Sequence, residues 1–252
     1  MKNNYPILFL LFIVFFACSK KDELNKNTES SIDSLPIYLS LANDVNLPFQ
    51  YKQQYNKKAF SIIINQKDDS LNKVNLFKIA NRYYNMSDWE GYQNTTNLIL
   101  ERSKKSNDSA HMAKAYVYLG DYYNSKAISD SAFKNYYRAE KIYQQINDQY
   151  NLAKTFFSKA NLQFGEGDLF ESEITVFKGL KILKGLNNVN DLLYNSYNLL
   201  GILYNEREEY NKALEFHNKA LNILNDNSIP LELQLKAMSL NNIRFVYVNM
   251  NN

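Results

Sequence analysis

Two histidines, one cysteine and scattered carboxylates are all that this chain offers for catalysis or metal binding. His111 and His217 stand far apart, have no cysteine beside them and lack His-x-x-x-His spacing, so a zinc site cannot be assembled from them. His217 follows Phe216 inside a helical apolar pattern, which points to packing or a surface position rather than proton transfer. Gly165-Glu166-Gly167 has the spacing of a phosphate-loop fragment, but such a loop follows a strand. Between two helical patterns these glycines serve helix termination. Glu206-Arg207-Glu208-Glu209 lies at an equivalent point and is expected to be a solvated connection. The chain has no nucleophile motif, paired-carboxylate signature or Walker-type loop, so no catalytic residues, cofactor or metal are expected.

Charge and composition narrow the classes further. The 29 Lys and Arg are nearly balanced by 26 Asp and Glu and are spread along the chain, so no basic field for nucleic acid exists. Twenty Tyr and 15 Phe supply too much packing surface for a disordered chain, while 7 Gly and 4 Pro favour long helices over many short strands. The lone cysteine, Cys18, excludes an intrachain disulfide and a thiolate cluster. It follows an unbroken apolar run from Ile7 to Ala17, itself preceded by Lys2, which is the layout of a secretory signal. As a helix that run would reach roughly 16 Å, about half of a hydrocarbon core, and so is too short to span.

Phe15-Phe16-Ala17-Cys18 resembles the lipobox of bacterial lipoproteins, with Ala17 as the small residue before the cut and Phe15 where Leu, Val or Ile is usual. The resemblance implies removal of residues 1–17 and a diacylglycerol thioether on Cys18; a general secretory signal with an incidental cysteine is the alternative. At about 0.8 kcal/mol per buried methylene, two or three acyl chains would make attachment effectively permanent. Lys21-Asp22-Glu23 resembles the export tag of some Bacteroidetes surface lipoproteins, or is part of a charged tether. Residues 18–34 are polar and without apolar periodicity, so a flexible tether is expected there, followed by a helical domain over 35–252. The expected location is the cell envelope, at the periplasmic or surface face of the outer membrane.

Self-comparison organises that domain. The segment AKAYVYLGDYYNSKAISDSAFKNYYRAEKIYQQ from Ala113 and LYNSYNLLGILYNEREEYNKALEFHNKALNIL from Leu193 share an aromatic, then Leu-Gly, then Tyr, then two alanines seven apart. Apolar residues at three- and four-residue spacing make helical stripes, and small residues where helices cross let their axes approach. The small positions are Gly120, Ala132 and Ala139, then Gly201, Ala213 and Ala220; Tyr116, Leu119, Tyr123 and Tyr136, then Tyr197, Leu200, Tyr204 and Phe216, fill around them. This pattern resembles the tetratricopeptide repeat, which implies an all-α fold: a right-handed superhelical stack of antiparallel helix hairpins. Weaker copies place Ala80 and Ala160 in register, with Tyr92 and Ile99 at the helix B small positions of the first of these, so that hairpin is expected to pack more loosely or at another angle. Ala59 begins the register, in a capping hairpin with 36–42. The repeat is about forty residues, longer than the family's usual thirty-four, so longer helices are expected. About five hairpins result. The last, 231–248, has Arg244 at the small position with Phe245, Val246 and Val248 expected to be exposed; it is either a cap or the start of a unit that normally continues.

In the tetratricopeptide family helix A lines the inner wall. Carried over, the wall residues are Phe77, Asn81, Tyr84, Val117, Asp121, Asn124, Phe157, Asn161, Phe164, Asn198, Ile202 and Asn205. Amides pair with a peptide backbone and aromatics pack its side chains, so a protein or peptide partner is expected. The lysines by which chaperone-binding members hold a carboxylate are replaced by Phe77 and Val117. The resemblance implies a lipid-anchored interaction scaffold or, alternatively, the sensory portion of a signalling regulator of histidine-kinase or helix-turn-helix type. Asp33-Ser34-Leu35, Asp69-Ser70-Leu71, Asp108-Ser109-Ala110 and Asp130-Ser131-Ala132 resemble the O-glycosylation sequon of Bacteroidetes periplasmic proteins, and equally suit helix N-caps.

Overall fold

The computed structural model describes residues 34–224 and 232–251; residues 1–17, Cys18, Lys21-Asp22-Glu23 and all of the expected tether but Ser34 lie outside the described residues. Among the described residues there are eleven α-helices and no strand. They are α1 (Leu35–Leu41), α2 (Phe49–Ile63), α3 (Ser70–Asn85), α4 (Trp89–Lys105), α5 (Ser109–Ser125), α6 (Ser129–Gln145), α7 (Gln149–Gly165), α8 (Leu169–Leu183), α9 (Asn190–Glu206), α10 (Tyr210–Ile223) and α11 (Glu232–Met250). Each packs on its chain neighbours, giving a solenoid of antiparallel hairpins of the tetratricopeptide type.

The turns explain the rhythm. Helices α4 to α7 are each 17 residues long and are separated by three residues. The middle turn residue is left-handed each time, at Ser87, Asn107, Ala127, Asn147 and Gly167. The next amide reaches back to a carbonyl five residues before it, as Asp108 N does to Ser103 O at 2.8 Å and Asp148 N to Tyr143 O at 3.0 Å, which stops the helix. That same aspartate then caps the following helix: the side chains of Asp88, Asp108, Asp148 and Asp168 accept from the amides of Gly91, His111, Asn151 and Glu171. One three-residue motif both ends and starts a helix; Glu166-Gly167-Asp168 is its glycine version, and Gly167 serves helix termination as expected. Asp69 and Asp108 of the Asp-Ser triplets are N-caps, whereas Asp130 lies in the first turn of α6.

The turn before α6 departs from this scheme. Ala127 carries φ 54 and Ile128, which is exposed, offers no side-chain cap. A left-handed alanine costs roughly 1–2 kcal/mol and a missing cap about 1 kcal/mol. The double substitution Ala127→Asn, Ile128→Asp copies the turns on either side and is expected to raise the thermal midpoint by several degrees. An unchanged or lower midpoint would contradict this account of the turns.

The crossings are packed as the small residues require. Ala59, Ala80, Ala132, Ala139, Ala160, Ala213 and Ala220 are wholly buried. A Cβ added to Gly120 would lie 2.5 Å from Tyr136 Cδ1, and one on Gly201 would lie 2.6 Å from His217 Nδ1. Helices α5 and α9 therefore receive a ring from α6 and α10 directly on their backbone. The α3/α4 hairpin makes its close approach through Gly91, against the Tyr83 ring, while Tyr92 and Ile99 are fully buried in its core. Tyr92 and Ile99 do occupy the places that Ala132 and Ala139 hold in α6, forty residues on, and the small residue of α4 stands one position before the first of them.

Two expectations at the far end also change. Val246 is buried among Leu199, Leu203 and Phe216, while Phe245, Tyr247 and Val248 are exposed. Arg244 is accommodated by being exposed, where it binds Asn241. Arg207 is not simply solvated: it bonds Glu173 of α8 and Glu209, and lies 4.2 Å from the Phe170 ring centre, tying the α9/α10 turn to the preceding hairpin.

Candidate peptide-binding wall

Helices α3, α5 and α7, the first helices of successive hairpins, share a cavity of about 330 Å³. Asn81 comes from α3; Lys114, Val117, Tyr118 and Asp121 from α5; Asn151, Lys154, Thr155 and Ser158 from α7; Tyr143 of α6 completes it. Residues forty apart recur at equivalent points, which is why Lys114 and Lys154 meet there.

Aromatic rings support the cavity from the N-terminal side. Phe77 is buried, stands edge-on to Tyr118 at 4.9 Å and stacks on His111 at 5.9 Å. Tyr118 stacks on Tyr92 at 5.7 Å, and Tyr84 lies edge-on to Tyr92 at 5.4 Å and to Trp89 at 5.3 Å. The Lys114 ammonium sits 4.4 Å from the Phe77 ring centre, a cation–π contact that holds it in place. Burial lowers its proton affinity, and the neighbouring charge of Lys154 lowers it further.

Asp121 lies deep in the same cavity and accepts a 2.7 Å hydrogen bond from the Tyr136 hydroxyl. Burial pushes its carboxyl up to about 6, against the opposing pull of that hydrogen bond and of Lys154. Burial likewise raises the Tyr118 hydroxyl to about 12; its hydrogen bond with Asn81 opposes the rise and the Asp121 charge adds to it. Tyr136 therefore joins the two functions of the fold: its ring covers Gly120 and its hydroxyl orients Asp121.

Of the wall residues expected from sequence, Asn81, Val117 and Asp121 meet in the cavity and Phe77 lies beneath Lys114. Tyr84 and Asn124 are exposed outside it. Phe157 and Phe164 pack against the C-terminal core, and Asn161 bonds back to the Phe157 carbonyl at 2.9 Å. Asn198 and Asn205 are engaged by α11, accepting from Asn242 at 2.9 Å and Asn249 at 3.1 Å, and Ile202 is half-buried between them. Lys114, Tyr118, Tyr143, Asn151, Lys154, Thr155 and Ser158 were not anticipated. The legible signal was that both lysines precede a wall residue, Val117 or Phe157, by one helical turn.

His217 is 1% exposed with its Nδ1 unpaired, and burial lowers its pKa to about 4, so it packs as a neutral ring. His111 instead bonds the Asp108 carboxylate at 2.7 Å. No cluster of metal-ligating side chains occurs among the described residues. A larger hollow of about 710 Å³ lies between α1 and α3, lined by Leu35, Leu39, Asp44, Lys78 and Arg82 among others, away from the shared wall.

No protein-family model matches the sequence, and no curated protein matches it. Solved structures do. Aspartyl phosphate phosphatase F from Bacillus subtilis superposes with a TM-score of 0.67 at 14% identity, over 88% of this chain and 58% of its own. A signal-transduction ATPase with a tetratricopeptide repeat sensor from Pyrococcus horikoshii gives 0.65 at 17%, over 86% of this chain and 33% of its own. Kinesin-light-chain TPR-like repeats from Podosopora anserina give 0.59 at 13%, over 80% and 99%. This chain thus spans little more than half of the first protein and a third of the second. At such identities the likeness is one of fold, that of the tetratricopeptide solenoid.

Proposed function

We propose that this chain is a lipid-anchored scaffold of the cell envelope that holds a protein or peptide against the wall of α3, α5 and α7. The observation that supports this reading is the cavity spanning three successive first helices. Amides, hydroxyls, two lysines and a carboxylate line it, and among the described residues neither lysine has an ion pair. An extended peptide needs amides for its backbone and rings and charges for its side chains. In this reading the chain contributes binding and no chemical step.

Anchorage is supported by the resemblance of Phe15-Phe16-Ala17-Cys18 to a lipobox, and no described helix is long and apolar enough to cross a membrane. Two measurements test the two halves separately. A photo-crosslinking amino acid at Ser158, in cells, should give a discrete protein adduct that the same probe at exposed Lys178 on α8 does not give. Equal adducts from both positions, or none from Ser158, would overturn the scaffold. Cys18→Ala should shift the chain from the membrane to the soluble fraction; a variant still pelleting with membranes would refute lipid attachment.

A further inference from the structure

We infer that the outer face of α8 is a membrane-contact surface, which lies on anionic lipid and sets how the solenoid stands above its anchor. Nearness to the bilayer rests on the anchored half of the scaffold reading; the chemistry of the face does not. Helix α8 carries Phe170, Ile174 and Phe177, four and then three residues apart, exposed at 66%, 46% and 42%. That spacing sets them in one stripe along the helix. None of them lines the cavity shared by the first helices. The left-handed turn residues Ser87, Ala127, Gly167 and Glu208 fix the register of the second helices α4, α6, α8 and α10. At the places of the stripe α4 has Glu90, Asn94 and Asn97, and α10 has Asn211, Glu215 and Asn218, all exposed. Helix α6 has Asp130, Lys134 and the exposed Tyr137 there. Among these second helices the apolar outer stripe therefore belongs to α8, extended sideways by Tyr137. Ile182 of α8 joins the cluster that holds Ala139 and Tyr143 of α6, so the two outer faces adjoin.

The stripe is braced and bordered by positive charge. Arg207 stands 4.2 Å from the Phe170 ring centre, and Phe177 stands edge-on to Phe216 at 6.2 Å. Lys178, Lys181 and Lys184 follow on α8, and Lys134, Arg138 and Lys141 stand on α6. All are exposed, and none forms an ion pair among the described residues. By contrast, Lys212 and Lys219 of α10 meet Glu209 and Glu215. The exposed carboxylates nearby, Asp130, Glu166 and Glu171, lie in the first turns of α6 and α8 or just before, at the end away from Lys181 and Lys184. Rings beside lysines, whose long stems let the ammonium reach sideways, compose a helix lying in a lipid interface. The rings meet the upper acyl chains while anionic headgroups supply the counter-charge that the protein does not. A folded protein partner fits less well, because Phe170, Ile174, Phe177 and Tyr137 fall short of the roughly 20–30 residues a side that a stable interface uses. A weak lipid contact is enough here, since an anchor keeps α8 within reach of the surface.

The experiment uses the full-length protein, purified from cells and mixed with vesicles. Trp89 is the only tryptophan, so Phe177→Trp in a Trp89→Phe background places a single indole on α8. Asn218→Trp in the same background puts the control at the matching place on α10. In vesicles of phosphatidylglycerol with brominated acyl chains, the indole at 177 should be quenched and that at 218 should not. In brominated phosphatidylcholine the quenching at 177 should largely disappear. Each of Lys178→Gln, Lys181→Gln and Lys184→Gln should lower the ratio of docked to free protein about fivefold, the scale of one basic residue at a charged lipid surface. Equal quenching at 177 and 218, or quenching at 177 indifferent to lipid charge or to the three glutamine changes, would overturn the inference while leaving the anchor standing. A blue-shifted emission at 177 without bromine quenching would also overturn it, and would assign the face to a protein partner such as a second copy. Protein that stays unattached to neutral vesicles yet is quenched at 177 by anionic ones would support the inference and remove the anchor. No attachment and no quenching would remove both.

Discussion

Gly120→Ala and Gly201→Ala are each expected to destabilise the protein by about 2 kcal/mol, lowering the thermal midpoint by roughly 4–8 °C. The sign is opposite to the propensity rule, under which alanine in a helix gains about 1 kcal/mol over glycine. The reason is local. An added methyl would lie 2.5 Å from Tyr136 Cδ1 or 2.6 Å from His217 Nδ1, and both rings are buried on every side. The ring must move or the helices must separate, and small-to-large changes in a closed core cost 1–3 kcal/mol or more. At Gly120 a displaced Tyr136 also withdraws its hydroxyl from Asp121. Gly165→Ala is the control. It ends α7 with nothing within 4 Å of the new methyl, so it should be neutral or slightly stabilising. If Gly120→Ala melts no lower than Gly165→Ala, the ring-on-backbone account of these crossings is wrong.

The second large effect is a pair of opposed titrations. Burial holds the His217 ring at about 4, below its ordinary 6.5, so the unfolded chain takes up this proton first. Its contribution to stability is complete above pH 6.5 and is lost as pH falls toward 4. Burial raises Asp121 from 3.8 to about 6, so here the folded chain takes up the proton first. Its ionisation costs stability above pH 6, and that cost disappears as pH falls toward 3.8. Each shift corresponds to something on the order of 2–3 kcal/mol, and between pH 6 and 4 the two nearly cancel. His217→Phe removes one side of the balance, and its stability relative to the unaltered protein should rise by about that amount between pH 6.5 and 4. Asp121→Asn, whose oxygen can still accept from Tyr136, should show the reverse, losing ground over the same interval. Urea midpoints at four pH values decide the matter, because the other carboxylates displace all three curves equally. Parallel curves would rule out both assignments.

How far the sequence could be read depended on whether a position carries its meaning locally. Gly120, Ala132 and Ala139 were legible because only small side chains permit a close helix crossing, and the same trio recurs at Gly201, Ala213 and Ala220. The Asn-Asp pairs at 107–108 and 147–148 were equally local, since a left-handed residue followed by an N-cap is a complete stop-and-start signal. The left-handed turn positions recur every twenty residues, from Ser87 through Asn107, Ala127 and Asn147 to Gly167, an interval only half that of the small residues and carried by no single residue type. Gly91 was missed because its neighbour Tyr92 held the expected position, and a shift of one residue turns a helix by 100°. The wall was half legible. Val117 and Asp121 follow from the face of helix A, but Lys114, a turn earlier, enters the cavity because the Phe77 ring directs it there. Asn198 and Asn205 show the remaining limit: their amides belong on the wall by periodicity, yet α11 uses both. That pairing joins residues 44 apart and has no trace in the pattern of either helix alone.

The repeated turn has a consequence for how such a chain changes over generations. Asp108 and Asp148 occupy the same place in the same joint, each preceded by a left-handed asparagine and followed by a helix start. A recombination that joined residue 108 directly to residue 149 would leave a junction chemically like the one it replaced. Whole hairpins can therefore be lost or duplicated without inventing a new connection, and the span of the wall becomes a quantity inherited in discrete steps. A lineage could lengthen or shorten its reach by copying alone, with point mutation left to choose which rings and charges face the guest.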